Sequence, residues 1–72
     1  MNIKYFHDTD TLLITFNNNE IVETKDLNDN VIYEIDKSGQ LVAITIEHAK
    51  QIVQIDNFSY QKIADDNLPL AA

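Results

Sequence analysis

The chain has no cysteine and no arginine, and only one glycine among its 72 residues. Each absence closes a class of structure or function. Without cysteine, neither a disulfide nor a thiolate metal site can reinforce a small fold. Without arginine, the commonest reader of guanine edges is missing. Five lysines face twelve Asp and Glu, for a formal net charge of −7. Nucleic-acid binding needs a basic face to displace counterions from phosphates, so direct contact with DNA or RNA is not expected. One glycine cannot build a glycine-rich phosphate loop, and no Ser or Thr sits in a nucleophile elbow. No apolar run approaches the roughly 20 residues of a membrane helix. Met1 to Phe6 lacks the basic and apolar regions of a signal peptide. The expectation is a cytoplasmic protein with no membrane association.

What remains is a small acidic chain rich in short apolar runs. A domain of this length buries only about 60% of the surface its unfolded form exposes. A shared interface is one way to supply the missing stability. Excess carboxylate keeps such a domain soluble, and it also favours a basic protein partner through steering and charge complementarity.

Apolar runs alternate with turn clusters at close spacing, as in an antiparallel meander. Ile3 to Phe6 reads as a first strand, followed by a turn at His7-Asp8-Thr9-Asp10. Leu12 to Phe16 reads as a second strand and Asn17 to Asn19 as a turn, since Asn tolerates positive φ. Ile21 to Lys25 is a third, more polar strand suited to an edge, where charge discourages stray pairing. After a turn at Asn28-Asp29-Asn30, Val31 to Asp36 alternates with period 2. Lys37-Ser38-Gly39-Gln40 is the clearest hairpin, with the glycine where positive φ is needed. Leu41 to Glu47 is the strongest strand. The predicted buried set is Leu12, Ile14, Phe16, Tyr33, Ile35, Val42, Ile44 and Ile46. Beyond His48 the period is lost. Ala49 to Val53 suits a short helix, Asn57 to Ile63 is open between strand and helix, and Asp65 to Ala72 reads as a tail. The fold class is mainly β (α+β): a small antiparallel β-meander of four to five strands with a short C-terminal helix and a tail. Residues 1–56 form the domain and 57–72 a C-terminal extension, either an added strand or a partner-binding tail.

Two clusters could carry chemistry. His7, Asp8 and Asp10 bring an imidazole and two carboxylates together, but a metal site wants three or four converging groups. One tight turn seldom supplies them, so Asp8 and Asp10 read as turn caps. Glu47 and His48 could form an acid–base pair, yet neighbours along a strand point to opposite faces. The aromatics Tyr5, Phe6, Phe16, Tyr33, Phe58 and Tyr60 lack the positive surroundings of a base-stacking platform and read as core or interface. No catalytic residue, metal ligand or cofactor is expected, and the chain does not read as an enzyme.

The order Tyr5, Asp10, Leu12-Leu13-Ile14, Val22-Glu23-Thr24, Asp36 with Gly39, then Leu41-Val42, resembles a family of small bacterial proteins known as domain of unknown function 2283. The resemblance spans about Ile3 to Ala49. Phe6 stands where that family usually has Asp, Leu13 where it has an aromatic, and Asn30 and Ala43 where it favours Gly. Asp10 and Gly39 match, which implies structural turn roles for both. Family members are suspected of pairing with a small neighbouring protein as toxin and antitoxin. The resemblance therefore implies an antitoxin-like role and carries no catalytic residue with it.

Two expectations follow for the protein. The first is a non-enzymatic protein-binding module, the antitoxin of a toxin–antitoxin pair, neutralising a basic RNase-type toxin. Asn57, Phe58, Tyr60, Ile63, Leu68 and Leu70 are its candidate partner-binding residues, on an extension that orders on contact. The alternative is a self-associating β domain, a homo-oligomer with a structural or ligand-binding role.

Overall fold

The computed structural model describes residues 1–64 of the chain. Five strands and one helix follow in order: β1 (Asn2–Phe6), β2 (Thr11–Thr15), β3 (Glu23–Asp26), β4 (Val31–Ile35), β5 (Leu41–Glu47) and α1 (Ala49–Ile52). All strand pairs are antiparallel, in one sheet of order β1-β2-β5-β4-β3. The mainly β class with a short C-terminal helix is thus as the sequence suggested. The order places β5, the most apolar strand, at the centre with a partner on each side. Polar β3 lies at one edge, where the exposed Lys25 and Glu23 approach to 3.9 Å. An exposed pair of this kind adds little stability.

Turn chemistry explains the connections. Asn28 Oδ1 accepts the Asn30 N–H at 2.8 Å, closing the β3–β4 turn in the Asx manner. In the β4–β5 hairpin Gly39 sits at φ 83° and donates its N–H to the Asp36 carbonyl at 2.9 Å. Residues 16–22 form a longer crossing from β2 to the far edge. Asn17 Nδ2 donates to the Leu41 carbonyl (3.1 Å), Asn19 Nδ2 donates to Asp36 Oδ2 (2.9 Å), and Val22 N–H donates to the Ile35 carbonyl (2.9 Å). The crossing therefore runs past the ends of β5 and β4. Asn17 to Asn19 were expected to turn through positive φ, but among the described residues the non-glycine ones that adopt it are Asp10 and His48. An Asx bond from Asn19 N–H to Asn17 Oδ1 makes the bend instead.

Several boundaries differ from the sequence reading. The third strand begins at Glu23 rather than Ile21, because Ile21 and Val22 still belong to the crossing. The fourth ends at Ile35, because Asp36 is drawn into the hairpin turn, and a register shift falls between Glu34 and Ile35. The helix stops at Ile52, one residue early. Asn57 to Ala64 is neither strand nor helix.

Register assigns the two faces of the sheet. Ile3, Ile14, Ile44 and Tyr33 lie in one row, and Tyr5, Leu12, Ile46 and Val31 in the next, all on one face. The other face carries Lys4, Glu34 and Glu47 among Thr11, Thr15, Thr45, Leu13 and Ile32. Among the described residues, the buried hydrophobic ones are Val42, Ala43 and Ala49. Of the expected core only Val42 belongs to that group; Leu12, Ile14, Phe16, Tyr33, Ile35, Ile44 and Ile46 are only partly buried. The reason is architectural: a sheet needs a second layer to bury its apolar face, and the four-residue α1 is too small to be one. The smallest principal extent is 19 Å, the thickness of a thin slab.

Candidate functional site

At one end of the sheet the β1–β2 turn, the β3–β4 turn and the start of α1 meet. Asp10 is the centre of this junction. Its carboxylate accepts the Tyr5 hydroxyl at 2.6 Å and the Lys50 N–H at 3.1 Å, while its carbonyl accepts the Ala49 N–H at 2.9 Å. The first N–H groups of a helix have no partner within it, so a residue of a distant turn caps α1. The hydrogen bond to Tyr5 is the main cause holding the Asp10 carboxyl below its ordinary value, helped by the Lys50 N–H against partial desolvation. The same bond pushes the Tyr5 hydroxyl up to about 12, with desolvation and the Asp10 and Asp56 charges adding to it.

His48, at φ 55°, turns the chain from β5 into α1. Its Nδ1 lies 3.0 Å from Asn30 Oδ1, and the Glu47 N–H donates to the Asn30 carbonyl at 2.7 Å. The imidazole is engaged with the β3–β4 turn, and Glu47 ends the strand on the face that carries Thr45 and Thr11. The strand stops at Glu47, so alternation does not govern the pair; the tight turn at His48 does.

At the other end, Asp36 is the buried carboxylate of the described residues. Its Oδ1 accepts the Ser38 and Gln40 N–H groups, each at 2.9 Å, and its Oδ2 accepts Asn19 Nδ2. The Gln40 N–H leads in depressing its proton affinity, with Asn19 and Ser38 behind, all outweighing desolvation. No buried side-chain polar atom among the described residues lacks a partner. These carboxylates are committed to structure. Among the described residues, no three His, Cys, Asp or Glu side chains gather closely enough to hold a metal ion. No helix among them is long and apolar enough to cross a membrane.

The described surface also offers apolar contact. Ile3, Leu12 and Ile14 line a groove with Val53, Ile55 and Phe58, and Ile3 joins Met1, Phe58 and Tyr60 beside it. Val53 and Ile55 are partly covered, whereas Phe58 and Tyr60 are each 70% exposed and Ile63 83%. Of the sequence-predicted partner residues, Asn57 and Phe58 meet in this groove, Tyr60 lies next to it, and Ile63 is free in solvent. Leu68 and Leu70 lie outside the described residues. The predicted turn residues, Asp10 and Gly39, both adopt positive φ. The reading from sequence missed the links from Asp10 to Lys50, from Asn30 to His48 and from Asn19 to Asp36. Only the first half of one was visible, since Tyr5 and Asp10 both stand in the pattern quoted above.

That pattern now has a physical meaning. Tyr5 and Asp10 are hydrogen-bonded partners, and Asp36 and Gly39 close one hairpin. No curated protein and no solved structure is significantly similar to the chain. A family described as protein of unknown function (DUF2283) matches residues 2–50, from β1 through the first turn of α1. With its sheet, its paired turn residues and that match, the chain belongs to the DUF2283 family.

Proposed function

We propose that this protein is a non-enzymatic, cytoplasmic protein-binding module that neutralises a basic partner, in the manner of an antitoxin holding an RNase-type toxin. The observation that carries the reading is the segment from Asn57 onward. Its described part, residues 57–64, leaves Phe58, Tyr60 and Ile63 largely in solvent, without strand or helix, on a chain of net charge −7. Large aromatic side chains are the usual anchors of protein interfaces. A segment that orders on contact wraps a partner at the cost of affinity per unit area. The carboxylates steer a basic partner and set its orientation. The exposed edge of β1 adds unpaired backbone groups to which an extended segment can pair.

Co-expression tests the proposal. The protein should relieve growth inhibition by a small basic protein encoded beside it, and should be recovered with that protein in a pull-down. Phe58→Ala with Tyr60→Ala should weaken recovery while leaving the circular dichroism of the sheet unchanged. A harmless neighbour, together with an empty pull-down from the native host, would sink the reading. Rescue that survives the double substitution would show that the segment is not the anchor.

A further inference from the structure

We infer that residues 53–58 act as an autoinhibitory strap: the apolar groove of β1 and β2 holds Phe58 shallowly in the free protein and gives it up when a partner takes hold of the segment. The release step rests on the basic-partner reading; the strap itself does not.

The path of the chain after α1 builds the strap. Val53 leaves the helix in extended backbone, at φ −128° and ψ 160°, with its N–H on the Ala49 carbonyl at 2.8 Å. The Asn57 N–H donates back to the Gln54 carbonyl at 3.2 Å, and Phe58 lines the same groove as Val53 and Ile55. The floor of that groove is Ile3 of β1 with Leu12 and Ile14 of β2. The Asp56 charge reaches the Tyr5 hydroxyl, which places the strap close to the bond between Tyr5 and Asp10.

A gradient of burial runs along it. Val53 and Ile55 are partly buried, whereas Phe58 is 70% exposed. The backbone hydrogen bonds of Val53 and Asn57 are local, so apolar contact holds the strap on the sheet. Such contact grows with the apolar area removed from water. The first half is therefore held firmly and the ring at its end loosely. Seated and open forms of Phe58 are both populated, and a partner that binds the open form draws the equilibrium toward it. The apparent affinity of that partner falls by the fraction of chains in which Phe58 is open. A shallow seat keeps that fraction large, so the strap brakes the anchor without locking it.

Chymotrypsin cleavage after Phe58 in the full chain reads the open fraction, because a protease cuts an opened segment in proportion to its population. Ile3 lines the groove and is 40% exposed, so Ile3→Ser strips apolar floor from the seat with little loss of core. It should speed the cut after Phe58 by about two- to tenfold. Trypsin cleavage after Lys62, exposed and farther along the chain, should keep its rate and serves as the internal standard. Equal rates after Phe58 in wild type and Ile3→Ser overturn the inference. So does an equal rise at both sites, which would mean a general loosening. Should the variant fail to fold, the wild type decides. Nuclear Overhauser contacts between the Phe58 ring and the methyls of Ile3 or Ile14 support the strap, and their absence overturns it. Capture of the neighbouring basic protein is scored separately and should strengthen in Ile3→Ser by a similar factor; unchanged or weaker capture overturns the autoinhibition. A neighbour captured by neither form overturns the antitoxin reading instead, and the cleavage rates still decide the strap.

Discussion

Asp10 and Lys50 stand 40 positions apart in the chain, and the Asp10 carboxylate accepts the Lys50 backbone N–H at 3.1 Å. The contact locks the first turn of the sheet to the start of the helix that ends it. Asp10 also holds the Tyr5 hydroxyl, so one side chain joins β1, the first turn and α1. Removing it with Asp10→Ala should lower the melting temperature by on the order of 5 °C. Asp10→Asn keeps an acceptor and tolerates the left-handed backbone at φ 54°, so it should recover part of that loss. Equal melting curves for the wild type and Asp10→Ala would show that the junction contributes no stability.

The same groups set the limits of stability with pH. Asp10 and Asp36 are held below their ordinary value of 3.8 in the folded chain. The unfolded chain therefore takes up protons first as pH falls. Their contribution is complete above the unfolded value and is lost as pH drops through the folded one. Tyr5 runs the other way, rising from 10.0 to about 12 on folding. Its contribution is complete below 10.0 and lost as pH climbs toward about 12. Urea midpoints across pH should fall on both flanks. In Tyr5→Phe the alkaline fall tied to this hydroxyl should disappear; an unchanged alkaline profile would refute the assignment.

Gly39 tests backbone strain in isolation. A Cβ built there meets nothing within 4 Å, so space is not the constraint, whereas φ is +83°. Gly39→Ala should cost about 1 kcal/mol, the penalty of the left-handed region for an L-residue. Gly39→Val should cost more, because a β-branched residue is stiffer there. Chemical denaturation measures both, and a neutral Gly39→Val would mean that the hairpin can relax to another turn.

Val42 and Leu41 are chain neighbours with opposite fates, 2% and 39% exposed respectively. Val42→Ala should cost about 2 kcal/mol through lost burial and the cavity it leaves. Leu41→Ala should stay within about 0.5 kcal/mol, as surface substitutions do. Denaturant midpoints on the pair would reveal equal costs if Leu41 were covered in solution.

Much of the chain was readable as sequence because the signals are local. Leu41 to Glu47 alternates with period 2, and alternation alone specifies a strand with two unlike faces. Gly39 declares a turn because only glycine takes positive φ without strain. Asp10 declares one because a short carboxylate side chain can bond nearby backbone. All the expected partner residues but Asn57 are apolar or aromatic and could be named for that, but the groove that receives Phe58 could not. It is built from Ile3, Leu12 and Ile14, whose meeting with Val53 and Ile55 depends on the path taken after α1.

What the sequence by itself determined was therefore the set of strands, the positions of the turns, the alternating apolar pattern within the central strands and the charge of the whole. Tertiary structure alone decided that β5 pairs with β2 and lies inside the sheet. It also decided that Asp10 caps a helix 40 residues away and that Asn30 meets His48. The physical reason is that alternation marks which residues face the same way but carries no address for the neighbouring strand. Burial and backbone hydrogen bonding choose that neighbour among all arrangements at once. They set β5 where both of its edges are paired and leave polar β3 on the rim. Once that order was fixed, the ends of non-adjacent strands lay side by side, and polar side chains far apart in the chain came within hydrogen-bonding reach.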